Sequence, residues 1–501
     1  MKHTLLLMTI FTFIFGVNAQ EGRLDSTFNL VGTNIINFGS GYDDVIESTI
    51  IQPDGKIVVA GLTGKWPAYD MGLARYNIDG TLDYSFGDNG LITTKLGTIS
   101  MARAIALQKD GKIVVAGGNY SFKVVRYDAY GNLDYSFGSS GVVNTSIGLQ
   151  SSAFAIAIQS DDKILVAGSA SDGGPDADFA LARYNTDGSL DKSFNSTGII
   201  TTDYSQGDYA TSIGIQSDGK IIVAGYTNTA FALSRYKING TIDSTFGING
   251  KLITKIGSNY SYGKALKIQQ DGKIVVAGIS NDNSSPDFAL VRYKSNGTLD
   301  SLFGLDGKVL TDFNSSDDNA NSIEIQKDGK IFVAGESQNK IAIARYLSNG
   351  ILDKTWGGNG KIISNFNGGL DNVYSISLQA DGKLVVAGSS YSNGLNDFAI
   401  ARFVANSNNV EINKSTINPI TVYPNPAIDF ITVEWNSVAN KPFTITVTDM
   451  LGQFVSIATL INSSDGNYQY LIPVTNQVNG IYYVQVKSEG YNSITKISVL
   501  N

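Results

Sequence analysis

The chain has 501 residues, 42% hydrophobic and 16% charged, the profile of folded domains rather than of a disordered polymer. A net charge of −8 with no cluster of Lys or Arg excludes a surface built to follow a nucleic-acid backbone, and the absence of cysteine excludes disulfides and thiolate metal sites. The 54 glycines, 25 tyrosines and 23 phenylalanines favour short strands joined by tight turns.

Residues 1–19 read as a secretory signal peptide: Lys2 and His3 give a basic start, Leu5 to Val17 an apolar run, and Val17-Asn18-Ala19 a small-residue cleavage site. The apolar run is shorter than the roughly 20 residues of a spanning helix, so no transmembrane segment is expected after its removal. His3 is the only histidine, and the mature chain is expected to lack both His and Cys.

From residue 20 to 405 one phrase recurs seven times: 51–61, 107–117, 158–168, 215–225, 268–278, 325–335 and 378–388, with IQPDGKIVVAG as its first copy. Gly55 and Gly382 lie 327 residues and six intervals apart, about 54 per repeat, which suits a four-stranded propeller blade. In the second copy Ala102–Leu107 reads as strand one, Asp110-Gly111 as a type I′ hairpin turn, Lys112–Gly117 as strand two and Phe122–Tyr127 as strand three. The segment Leu133–Gly138 reads as the start of strand four. The last strand three, ending at Arg402, has no such phrase after it, whereas Arg23–Phe28 carries the phrase with no strands before it. The expected fold is all-β: a seven-bladed β-propeller closed by the N-terminal strand, since closure removes the open sheet edges. DGKIVVAG followed by ALARY and LDxSFG resembles the delta-60 repeat proteins of bacteria, a likeness that implies a propeller and little about chemistry.

Residues 406–418 form a polar, Asn-rich linker, and seven candidate strands between 420 and 500 predict a small immunoglobulin-like β-sandwich over 419–501. Tyr423-Pro424-Asn425-Pro426, Asp449-Met450-Leu451-Gly452, Gly480-Ile481-Tyr482-Tyr483-Val484 and the closing Lys496-Ile497-Ser498-Val499 resemble the type A C-terminal sorting domain of the type IX secretion system of the Bacteroidetes. That resemblance implies the type IX machinery as a partner and a secreted or outer-surface location.

Without His or Cys there is no Ser-His-Asp triad, Cys-His dyad or histidine zinc site, which leaves carboxylate pairs as the remaining catalytic option. The acids that occur once per blade, Asp25, Asp83, Asp134, Asp191, Asp243, Asp300 and Asp353, are expected to pair with the strand-three arginines. The recurring Phe86, Phe137, Phe194, Phe246, Phe303 and the matching Trp356 are expected to fill the gaps between blades. Asn77-Ile78-Asp79-Gly80 faintly resembles a calcium loop, but the other copies carry Asn-Gly turns, so no cofactor is expected and calcium occupancy is left open.

Loops after strands two and four vary and share one face of the ring, where binding is expected. They offer Trp66, Tyr69, Asp70, Asp176, Asp178, Tyr204, Asp208, Tyr209, Tyr226, Tyr260, Tyr262, Asp317, Asp318 and Tyr391. Aromatic rings among acids suit an extracellular glycan or a protein. A binding or adhesion module is the first reading, a carbohydrate-active enzyme using carboxylates with Tyr or Arg the second, and a structural surface-layer component the third.

Overall fold

The computed structural model describes residues 21–405 and 421–500, apart from positions 40, 98, 175, 206, 283–284, 367–368, 438–441, 450–453, 462–465 and 489–490. The signal peptide at 1–19 and the linker at 406–418 lie outside the described residues. The chain divides into two compact units, the first ending at Ser407 and the second beginning at Asn408.

The first unit holds seven antiparallel sheets of four strands each. In blade one these are Asp43–Ile51, Ile57–Lys65, Ala68–Tyr76 and Leu91–Thr94, paired in chain order. Strands two and three are buried almost throughout, because each sheet has a neighbouring blade on both faces. Blade seven is assembled from both ends of the unit: Leu370–Leu378, Leu384–Ser392 and Leu395–Phe403 take Thr33–Ile36 as their fourth strand, with Ile35 opposite Ala399. One core cluster then joins this blade to blade one through Phe28, Ile46, Val59, Val385, Phe398 and Ile400.

Two sequence expectations are corrected in detail. Asp110-Gly111 is not a type I′ turn, since only Gly111 has positive φ, at 84°. Gly111 N–H donates to the Gln108 carbonyl and Gln108 N–H to the Lys112 carbonyl, a three-residue hairpin loop in which the Asp110 carboxylate takes the Lys112 N–H. Likewise LDYSFG is a turn and not the start of strand four, which runs from Val142 to Thr145. The Asp134 carboxylate accepts both the amide and the hydroxyl of Ser136, which curls the chain and drops Phe137 into the core, fully buried.

Those turns hold a latch repeated in every blade. The strand-three arginine meets the turn aspartate at 2.7–2.9 Å in all seven pairs, Arg75–Asp83 through Arg402–Asp25. Each guanidinium also donates to a carbonyl of the next blade: Arg75 to Ala129, Arg126 to Thr186, Arg183 to Ile238, Arg235 to Ser295, Arg292 to Ser348, Arg345 to Ala405 and Arg402 to Ile78. It lies 4.3–5.7 Å from the ring of Phe86, Phe137, Phe194, Phe246, Phe303, Trp356 or Phe28. The expected diagonal ion pair is therefore also an inter-blade strut.

Burial opposes the charge on Asp25 and Asp134, yet hydroxyl and amide hydrogen bonds together with the Arg and Lys partners hold both carboxyls at about 2. Their folded pKa lies below the unfolded value of about 4, so this stabilisation is complete above pH ~4 and is lost as the pH falls toward 2. Asp44 acts in the opposite sense: burial, with Asp43 and Asp397 beside it, pushes it up to about 6 against hydrogen bonds from Thr63 and Phe38. Stability from protonating Asp44 is gained as pH falls from about 7 to about 4, the unfolded value. Urea unfolding midpoints are thus expected to be highest near pH ~4 and to collapse by pH ~2. A midpoint that rises steadily from pH 5 to 8 would contradict these assignments.

The second unit is a two-sheet sandwich. Thr421–Tyr423, Phe430–Ser437 and Gly466–Pro473 make one sheet, and Phe454–Ile461, Pro442–Asp449, Gly480–Ser488 and Tyr491–Val499 the other. Trp435, Val447, Ile472, Tyr482, Val484 and Ile497 share its core. The sorting-motif residues meet at its final strand: Asn425, between Pro424 and Pro426, accepts the Ser498 N–H at 2.9 Å and donates to the Lys496 carbonyl at 3.3 Å. Asp449 stands in register with Tyr482, whose hydroxyl donates to the Val478 carbonyl, and Gly480 pairs with Val499. Gly452 lies outside the described residues.

Candidate functional site

The variable-loop residues fall into several groups rather than one site. Trp66 is 70% exposed at the tip of blade one, its ring 6.2 Å from Tyr69, while Asp70 sits near Lys95. Tyr391 is exposed at the end of strand two in blade seven, and Asp317 is exposed before blade six.

Three of the expected ligand residues are structural. Asp208 and Asp318 are fully buried, and their carboxylates accept the N–H of Tyr204 and Phe313 respectively. Asp44 and Asp371 do the same for Phe38 and Phe366, so this is a repeat position that caps the loop entering each of these blades. Tyr204 itself is 8% exposed, packed on Phe179 at 5.1 Å and bonded through its hydroxyl to Ser234. It fills a blade junction and presents little to a ligand.

Two acidic triads lie at such junctions, Asp178–Asp203–Asp208 and Asp287–Asp312–Asp318, each with three carboxylate oxygens within 4.8 Å of one another. Burial and then mutual repulsion push Asp287 up to about 6. Asp172 and Asp176 add to the field at Asp178. Among the described residues these are the groups whose donors could hold an oxygen-ligated cation.

The remaining tyrosines do assemble. Tyr209 stacks on Tyr226 at 5.1 Å, Tyr226 meets Tyr262 at 4.6 Å, and Tyr262 stacks on Tyr260 at 5.0 Å. Phe154 joins the series at 6.5 Å from Tyr209. All five rings are half-buried. Burial, with Tyr209 and Tyr262 beside it, pushes the Tyr226 hydroxyl up to about 12.

Beside this ladder, with Phe154 in its wall, lies a cavity that was not anticipated from the sequence. Strand one of every blade carries a β-bulge, at Ile46/Ser48, Ala102/Ala104, Ala153/Ala155, Ala210/Ser212, Gly263/Ala265, Ala320/Ser322 and Val373/Ser375. The extra residue is unpaired and re-aimed. Those seven residues, Glu47, Arg103, Phe154, Thr211, Lys264, Asn321 and Tyr374, line a cavity of about 690 Å³. The bulge depends on the glycine that ends each repeated phrase. A Cβ at Gly117 would stand 1.9 Å from the Met101 carbonyl oxygen, and one at Gly61 1.8 Å from that of Val45.

The signal for these residues is present in the repeats. Eight positions before each turn glycine, or before Asp162 where that glycine is replaced, stand Glu, Arg, Phe, Thr, Lys, Asn and Tyr; the position after is always Ser or Ala. Arg103 lies over Phe154 at 4.8 Å and Lys264 over Tyr226 at 5.5 Å, which places one cation at the Phe154 end of the aromatic series and the other against its middle ring. Burial raises the Glu47 carboxyl and lowers the Lys264 ammonium, each countered in part by the other.

Seven segments, 52–86, 108–137, 159–194, 216–246, 269–303, 326–355 and 379–408, match the family model described as domain of unknown function (DUF5122) beta-propeller. Residues 421–500 match the secretion system C-terminal sorting domain. No curated protein matches the chain. Among solved structures, it is similar to a protein from Lactobacillus plantarum at 14% identity and a TM-score of 0.44, over 83% of this chain and 99% of that one. It is similar at 11% identity and a TM-score of 0.33 to PorZ of Porphyromonas gingivalis, described as a surface component of the type-IX secretion system, over 89% of this chain and 68% of that one. The polysaccharide lyase Uly1 matches at 11% identity and 0.43, over 72% of this chain and 90% of that one. Likeness this distant carries nothing about chemistry.

Proposed function

For a chain that carries seven repeats of the DUF5122 β-propeller family and a type IX secretion sorting domain, and is therefore exported to the cell surface or the medium, we propose a role as a non-enzymatic glycan-binding module. The observation behind this reading is the ladder Tyr209, Tyr226, Tyr262 and Tyr260 beside the cavity whose wall includes Phe154. Half-buried rings at 4.6–5.1 Å spacing offer a continuous apolar edge against which sugar C–H groups can pack, while their hydroxyls supply hydrogen bonds. The ladder is held by strand positions and so needs no ordering on binding.

The test is retention of the full exported chain on immobilised polysaccharides, with soluble saccharide measured in the same tubes. Tyr226→Ala and Tyr262→Ala are each expected to weaken retention by about 1 kcal/mol, roughly fivefold, with no product released. Release of saccharide would replace this reading by the carbohydrate-active enzyme. Retention that ignores both substitutions would remove the ladder from the site, and loss on Trp66→Ala alone would move it to the tip of blade one.

A further inference from the structure

We infer that the cavity selects sugars carrying a single negative charge per ring, either a uronate carboxylate or a sulfate ester; this rests on the glycan-binding reading above. The aromatic series carries two cations, Arg103 at its Phe154 end and Lys264 against Tyr226 at its middle. Neither is neutralised in contact. Arg103 Nε is buried and has no hydrogen-bond partner, and Arg103 and Lys264 act on Glu47 only through space. Buried charge without a bonded partner is unfavourable, and burial lowers the Lys264 pKa accordingly. An anion bridging the two would restore both.

The remaining charges set the stoichiometry. Glu47 on blade one faces the same cavity, so the bulge ring carries two positive charges and one negative. Glu336 is engaged by Asn319 and does not line the cavity. Lys267 is paired with Glu324 at 2.6 Å and adds no free charge. A net charge of one suits one anionic group beside a stacked ring, whereas Glu47 opposes a dianion such as a phosphate monoester. Neutral sugars would still stack on the tyrosines without satisfying Arg103 or Lys264.

The experiment compares retention of the full exported chain on a polyuronate, on the same polymer after carboxyl reduction, and on the reduced polymer after sulfation. Wild type is expected to prefer each charged polymer over the neutral one by about tenfold or more at low salt, the preference shrinking as salt rises. Arg103→Gln and Lys264→Gln should each cut that preference at least about threefold, by weakening retention on the charged polymers more than on the neutral one. Glu47→Gln should enlarge it, a gain that no loss of folding can produce. Equal retention on charged and neutral polymers, still sensitive to Tyr226→Ala, would overturn the charge selection and leave the glycan-binding reading standing. Retention on none of the three would overturn both. Of the two charged polymers, the better retained identifies the source of the charge.

Discussion

Replacing Arg183 by alanine is expected to destabilise the propeller by about 3–5 kcal/mol, measured by urea unfolding at pH 7. The side chain is 4% exposed and does four things at once. Its Nε meets Asp191 at 2.8 Å, its two terminal nitrogens donate to the Ser193 hydroxyl at 3.3 Å and the Ile238 carbonyl at 2.5 Å, and its plane covers Phe194 at 4.3 Å. Alanine leaves Asp191 buried with Lys163 as its remaining cation, strips a carbonyl of the next blade of its donor, and opens a void over the ring. Arg183→Lys should recover only part of the loss, because one ammonium cannot span Asp191 and Ile238 together. A cost below about 1 kcal/mol for the alanine variant would show that the strut carries no stability. Combining it with Asp191→Asn should cost much less than the two losses added, since the second change removes a carboxylate already stranded by the first.

The repeat phrase made the blades legible because it spans strand two, whose burial on both faces leaves it little freedom to vary. The periodic segments Ala102–Leu107 and Phe122–Tyr127 are found with those same bounds. Strand four was misplaced for an instructive reason: the well-repeated LDYSFG is preserved as a side-chain-capped turn and a core plug, whereas strand four itself is a short edge with looser demands. The ligand residues were chosen by chemical type, which selected Asp208, Asp318 and Tyr204 although each fills a position repeated in other blades. The cavity was hidden by the opposite effect. Strand one reads as plain alternation, and only the bulge behind Gly61, Gly117 and their equivalents turns Glu47, Arg103 or Lys264 inward. One repeat cannot reveal that, but seven compared position by position can.

Deleting residues 21–37 is expected to abolish cooperative unfolding of the propeller, a larger effect than losing any single strut. The deletion takes Thr33–Ile36 from the ladder with Phe398–Ala401 and leaves the third strand of blade seven as a bare edge. It removes Phe28, fully buried against the blade-one turn, where a Cβ at Gly80 would already stand 2.6 Å from the ring. It also strips Arg402 of Asp25 at 2.8 Å and Arg345 of Glu21 at 2.5 Å, so two buried guanidinium groups lose carboxylates together. Phe28→Ala alone should cost about 3–5 kcal/mol, and the whole segment more, because an edge, a cavity and two charges are exposed together. A synthetic peptide of residues 21–38 added to the truncated chain should restore a cooperative transition by strand addition, with a midpoint that rises with peptide concentration. A truncated chain that unfolds cooperatively at the full-length midpoint would show that the N-terminal segment does not complete the ring. Should the peptide rescue, the ring can close only after the last repeat has been delivered, since Phe398–Ala401 must be present before Thr33–Ile36 has a partner. The cavity would then take shape late, because a cavity lined by Glu47 and Tyr374 has no closed wall until blades one and seven meet.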